Sequence, residues 1–174
     1  MRSLRILGVD PGREGALVVL NGLFEVVDKF TMPLDAKTKA IHLGRLFEIV
    51  SAMRYTYSTC YIEKTKGFRR DSSGRAFTFG YNTGVIHMAL AANGNPVVMV
   101  EPKVWQMAVH PMIGVRGGIH AKERTLRCCR KRWPGMDWRK TPKCKKFHDG
   151  LMDAALIAYY GVCHKYGDHL NDNN

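Results

Sequence analysis

Four carboxylates stand out from the fifteen acidic side chains of this 174-residue chain. Asp10 closes the apolar run of GVDPG, and Glu63 closes that of YIEK. Asp149 and Asp153 lie four residues apart in DGLMDAALIA. On a helix that spacing leaves them about 40° apart around the axis, on one face. Each has an ordinary explanation alone: a turn cap for Asp10, a lysine partner for Glu63, a helix-dipole acid for Asp149. Together they point elsewhere. If the strands ending at Asp10 and Glu63 are neighbours and the last helix packs over them, all four carboxylates converge. Four such groups repel one another and take up protons unless a divalent cation neutralises them. Oxygen-only ligands suit hard Mg²⁺, with Mn²⁺ as a substitute. A pair of such ions about 4 Å apart is a known device for in-line phosphodiester hydrolysis.

The cations complement this site. Of the net charge of +12, a net +9 falls within residues 101–150, which hold thirteen Lys and Arg against four Asp and Glu. A positive field so localised suits a polyphosphate partner. Lys64, Lys66, Arg69, Arg70 and Arg75 follow the Glu63 strand in and after a Gly-containing loop, where Phe68 is placed to stack on an unpaired base or to pack on a partner chain. Lys122, Arg124, Arg127, Lys131 and Arg132 line a late helix, and Lys143, Lys145 and Lys146 precede the Asp149 helix as phosphate contacts. His148, beside Asp149, is placed to touch phosphate or move a proton.

The elements that must position these groups read as one α/β domain over residues 1–167 with a frayed tail at 168–174. Strands are expected at Leu4–Asp10, Gly15–Asn21 and Phe24–Phe30 as a meander, then at Cys60–Glu63 and Val97–Val100. Helices are expected at Ala36–Tyr55, Arg75–Asn93, Pro102–His110, Ala121–Trp133 and His148–Tyr166. Trp105, Trp133 and Trp138 read as packing residues. Apolar stretches such as Ala16–Leu20 and Met88–Ala92 are five residues each, far below the ~20 of a membrane span. Five cysteines without a CxxC pair argue for reduced thiols rather than a secreted disulfide framework or a zinc site.

GVDPGREGALVVL, YIEK, FTFGYNTGVIHMAL, VEPKVWQ and KKFHDGLMDAALIAYYG, in that order and over nearly the whole chain, resemble the RuvC-like Holliday-junction resolvases, above all the phage-type and organellar branch. The resemblance implies a ribonuclease H-like fold, a five-stranded mixed sheet with its first three strands antiparallel, flanked by helices. It implies a homodimer that nicks opposed strands of a four-way DNA junction, with two Mg²⁺ per site on Asp10, Glu63, Asp149 and Asp153. No small-molecule cofactor and no membrane partner are expected. The implied compartment is the cytoplasm, the host's for a phage-borne chain. The helix over Arg75–Asn93 resembles the family's dimerising helix; its other reading is the core helix of a βαβ unit. The alternatives that stay open are a protein that holds branched DNA or structured RNA without cutting, a ribonuclease H-type nuclease of RNA–DNA hybrids, and a transposase-like strand transferase.

Overall fold

A computed structural model describes residues 4–54, 56–64, 73–115 and 120–171. It forms a five-stranded sheet in the order β3-β2-β1-β4-β5, built from β1 (Arg5–Asp10), β2 (Ala16–Asn21), β3 (Val26–Thr31), β4 (Thr59–Glu63) and β5 (Val97–Val100). The first three strands are antiparallel, whereas β4 runs parallel to both β1 and β5. The mixed sheet with an antiparallel opening is therefore as expected.

Strand alternation sorts the core into two layers. Ile6, Val18, Leu20 and Tyr61 face α3 (Pro102–Met112), α4 (Ala121–Arg132) and α5 (Asp149–Asn171). Leu7, Val9, Leu17, Cys60 and Ile62 face α1 (Leu43–Ala52) and α2 (Ser73–Ala92). Helix α5 lies against β1 almost backbone to backbone. A Cβ at Gly8 would meet the Ala154 carbonyl oxygen at 2.1 Å, so only glycine fits there. That close approach sets how far Asp153, one residue before Ala154, stands from the end of β1.

Two element boundaries differ from the sequence expectation for visible reasons. Helix α1 starts at Leu43 rather than Ala36, because Asp35 Oδ1 accepts the Lys37 and Thr38 N–H groups and Lys39 takes φ 57°. His42 then caps the helix, its ring accepting from the Arg45 N–H. Strand β3 starts at Val26 rather than Phe24, because Phe24 itself turns at φ 62° and Asn21 Oδ1 collects the Leu23 and Glu25 N–H groups. Helix α5 runs to Asn171, beyond the expected end at Tyr166. Among the described residues, no helix is long and apolar enough to cross a membrane. All three tryptophans are buried, and Cys60, Cys128 and Cys129 are buried free thiols.

Candidate active site

Strands β1 and β4 pair in parallel with Val9 opposite Ile62, so Asp10 and Glu63 leave the sheet side by side at the same edge. Helix α5 brings Asp153 over that edge. Burial pushes the Asp10 carboxyl up to about 7; Glu63 and, more weakly, Asp149 push the same way, against a hydrogen bond from the Gly12 N–H. Asp153 is likewise raised to about 7, by burial first and then by the charges of Asp10, Glu63 and Asp149. Burial also raises Glu63. These carboxylates thus share one field, as their strand-end and helix-face positions require.

Each is held by a specific donor. The Thr125 hydroxyl of α4 donates to Asp153 Oδ1 at 3.1 Å, and the Trp105 indole N–H of α3 donates to Glu63 Oε2 at 2.9 Å. Asp149, half-exposed at the start of α5, takes the Lys122 ammonium on Oδ2 at 2.5 Å. Asp149, Asp153, Thr125, Lys122 and Gln106 line a narrow cleft of about 60 Å³ between α3, α4 and α5. Among the described residues, no three His, Cys, Asp or Glu side chains stand close enough together to grip an ion as they are placed. The donor chemistry nonetheless fits a hard divalent cation. The set is all carboxylate, two members are held partly protonated by burial and mutual repulsion, and a lysine is drawn onto a third.

Of the basic residues read from the sequence, Lys122, Arg127 and Lys131 are exposed on α4, and Arg124 is half-buried on it. Arg127 pairs with Glu123 at 2.9 Å, and the Lys131 ammonium reaches the Gly114 carbonyl at 3.5 Å. Lys64, just past β4, lies 3.8 Å from Glu101. Lys143, Lys145 and Lys146 are exposed on the loop leading into α5. Arg132 instead lies over the rings of Phe24, Trp133 and Tyr159 and donates to the Leu23 carbonyl, a structural placement. Lys66, Phe68, Arg69 and Arg70 lie outside the described residues, as does the side chain of Arg75. His148 precedes α5, and its Nδ1 accepts the Leu151 N–H at 3.2 Å, the bond of a helix cap. Burial, helped by Lys140, lowers its pKa.

Sequence reading missed Thr125 and Gln106 as members of this cleft and gave Trp105 a packing role only. Trp105 is fully buried and also anchors Glu63. A signal existed: Gln106 follows Trp105 in VWQ, directly after β5, and Thr125 is the polar residue amid the cations of α4.

The sequence matches no protein-family model and no curated protein. Its likeness is carried by structure. Thermus thermophilus RuvC in complex with a Holliday junction substrate superposes with a TM-score of 0.64 at 20% identity, over 94% of this chain and 96% of that one. The chain has the ribonuclease H-like fold of RuvC. A second structure of T. thermophilus RuvC gives a TM-score of 0.58 at 20% identity, over 94% and 97% of the two chains. The yeast mitochondrial Holliday junction resolvase Ydc2 gives 0.55 at 11% identity, over 99% of this chain and 85% of that one. Within this RuvC-like frame the carboxylates sit where β1, β4 and α5 meet, and the basic helix α4 flanks them.

Proposed function

We propose that the chain is a metal-dependent endonuclease that resolves four-way DNA junctions, cutting two opposed strands as a homodimer. The observation that carries this reading is the shared field of Asp10, Glu63 and Asp153 at one sheet edge, beside a strongly basic helix. Carboxylates that repel one another serve no purpose in a protein that merely holds phosphates, and this disfavours a non-cleaving role.

Asp10, Glu63, Asp149 and Asp153 would hold Mg²⁺, with Mn²⁺ as a substitute. When bound, the metal supplies charge neutralisation at the phosphate and activation of water. The protein's own contribution is positional. Trp105 and Thr125 fix the rotamers of Glu63 and Asp153, and Gly8 seats α5 so that Asp153 overhangs β1. Lys122 is held against Asp149 and would be available to a phosphate if a metal ion took that carboxylate. Lys143, Lys145, Lys146 and Arg127, with Lys131 and Lys64, supply a sequence-independent grip on the backbone. Lys66, Phe68, Arg69 and Arg70, with Arg75 at the start of α2, are assigned to the crossover point.

A dimer presents two such sites to two opposed strands. Its support is α2, which buries Ile86 and Leu90 on the sheet while Phe77 and Met88 stay 74% and 67% exposed. Phe77 and Tyr81 stack on one another on that outer face, ring centroids 6.5 Å apart. Large bare apolar side chains on a helix call for a partner.

The test is a cleavage panel in Mg²⁺ containing a four-way junction, a plain duplex, a flap and an RNA–DNA hybrid. Paired symmetric nicks confined to the junction are expected. Junction binding without cleavage in either Mg²⁺ or Mn²⁺ would favour an architectural protein. Selective cutting of the hybrid would make the enzyme a ribonuclease H.

A further inference from the structure

Steps of four along α2 read Gly74, Thr78, Asn82, Ile86 and Leu90, one stripe of the helix. Ile86 and Leu90 are fully buried, in one cluster with Leu7 and Val9 of β1. The N-terminal half of the stripe faces the turn beyond the end of β1 instead, and a cavity of about 710 Å³ lies between the two. It opens beside the carboxylate edge. Gly12, on the turn side of the cavity, gives its N–H to the Asp10 carboxyl, and a Cβ on Gly12 would stand 3.8 Å from Asp10 Oδ1.

Asn82 is only 7% exposed and lines this cavity, and among the described residues its amide makes no hydrogen bond. The amide is open to the cavity, unlike the ring nitrogens of His110, which are sealed in protein. Water can meet it in the free protein. An occupant that displaces the water must bring a donor and an acceptor of its own, or it leaves a buried amide unpaired. The neighbouring groups narrow the choice. The Thr78 hydroxyl donates to the Gly74 carbonyl at 2.9 Å, so toward the cavity it can only accept. The Gly12 N–H is already taken by Asp10. Exposed Arg13 and Glu14 give the rim one charge of each sign, while half-buried Phe79 adds an aromatic wall.

We infer that this cavity is a base-reading subsite, in which Asn82 and Thr78 select a nucleobase that carries an exocyclic amine. The inference rests on the nuclease reading above and adds a preference for base to its grip on the backbone. A phosphate asks for several donors and a positive rim, and finds neither here. A divalent cation finds a single carboxylate, Glu14. An apolar side chain strands the amide. A base answers each group in turn. Its ring lies against Phe79, and both polar atoms of Asn82 meet an amine and the ring nitrogen beside it, as adenine and cytosine present them. The second amine hydrogen is left for Thr78, one helical turn away. Thymine sets a carbonyl where that amine stands, opposite a hydroxyl that can only accept. Because Gly12 touches both the cavity and Asp10, a base held there belongs to the strand at the carboxylate edge.

The experiment measures binding of fluorescent tetradeoxycytidylate, tetrathymidylate and an abasic tetramer with the same phosphates, in chelator. Wild-type protein is expected to hold the cytosine oligomer at least fivefold more tightly than the thymine one, and the abasic one most weakly. Asn82→Leu keeps the bulk of the side chain and breaks no hydrogen bond within the protein. Gly74→Trp fills the mouth from a position where an added Cβ meets nothing within 4 Å. In both variants the preference should fall below twofold while abasic binding is unchanged. Equal binding of the three oligomers by the wild type, or a preference that survives both variants, overturns the subsite. Self-association is read on the same samples. Its loss in Gly74→Trp, with no base preference in the wild type, gives the cavity to a second copy of the chain. Junction-versus-duplex affinity is measured alongside. A base preference without a junction preference removes the resolvase reading and leaves the subsite. A junction preference without a base preference removes the subsite alone.

Discussion

Helices α5 and α2 cover opposite faces of the same sheet, and they do so in opposite ways. Along α5, small side chains let the backbone settle onto β1, with Ala154, Ala155 and Ala158 fully buried. Along α2, Gly74, Gly80 and Gly84 face open space, and Phe77, Tyr81 and Met88 lie bare. The first arrangement holds Asp153 close over the end of β1, since nothing can slide between two backbones in contact. The second anchors the helix through Ile86 and Leu90 and leaves its outer apolar side chains bare. One sheet thus supplies positional accuracy on the α5 side and a bare apolar face on the α2 side, the face proposed above for association.

The contrast is broken most severely at Gly8. Gly8→Ala puts a methyl into the Ala154 carbonyl and should cost about 3 kcal/mol, lowering the melting temperature by roughly 10 °C. Scanning calorimetry checks this, and an unchanged melting point would mean that α5 does not sit so close. On the other face, Phe77→Lys with Tyr81→Lys should weaken self-association by at least tenfold with little loss of fold stability, read by sedimentation against circular dichroism. Unchanged self-association in that variant would move the proposed interface off α2.

The acidic edge gives a pH-linked effect of middle size. Asp10 and Asp153, both raised to about 7, bind protons in the folded state that they have already lost in the unfolded chain between pH 4 and 7. Their contribution therefore turns unfavourable as pH rises through that window. In chelator, Asp10→Asn should raise the melting temperature by on the order of 5 °C at pH 8 and change it little at pH 5. Added Mg²⁺ should stabilise the wild type at pH 8 and the variant much less.

Smaller effects come from the surface. Replacing Lys145 and Lys146 with alanine should lower junction affinity several-fold and flatten the salt dependence by about 2 in log–log slope. An unchanged slope would place both lysines away from DNA. Gly80→Ala, with open space around its Cβ, should stabilise α2 by about 1 kcal/mol. If Gly80→Ala also weakens the dimer, the two helices approach closely there.

Much of this was legible in the residues because the decisive signals are local. Strand ends at Asp10 and Glu63 are written in GVDPG and YIEK, and the spacing of Asp149 and Asp153 places them on one helix face whatever the fold. Boundaries decided by side-chain capture of backbone were not legible from hydrophobic period, as at Asp35 and Asn21. Nor were contacts made across the fold: Thr125 reaches Asp153 and Trp105 reaches Glu63 only because α4 and α3 pack beside α5. Arg132 shows the converse. As one more cation on a basic helix it reads as a phosphate contact, yet the aromatic rings of Phe24 and Tyr159, distant in sequence, claim it.

The most direct test separates cutting from holding. Wild-type protein and Asp153→Asn are assayed on one four-way junction, cleavage in Mg²⁺ and affinity in chelator. The account predicts a loss of cleavage by at least a thousandfold with affinity within about threefold of wild type. Full cleavage by Asp153→Asn would contradict the account, because it would remove the carboxylate edge from the chemistry.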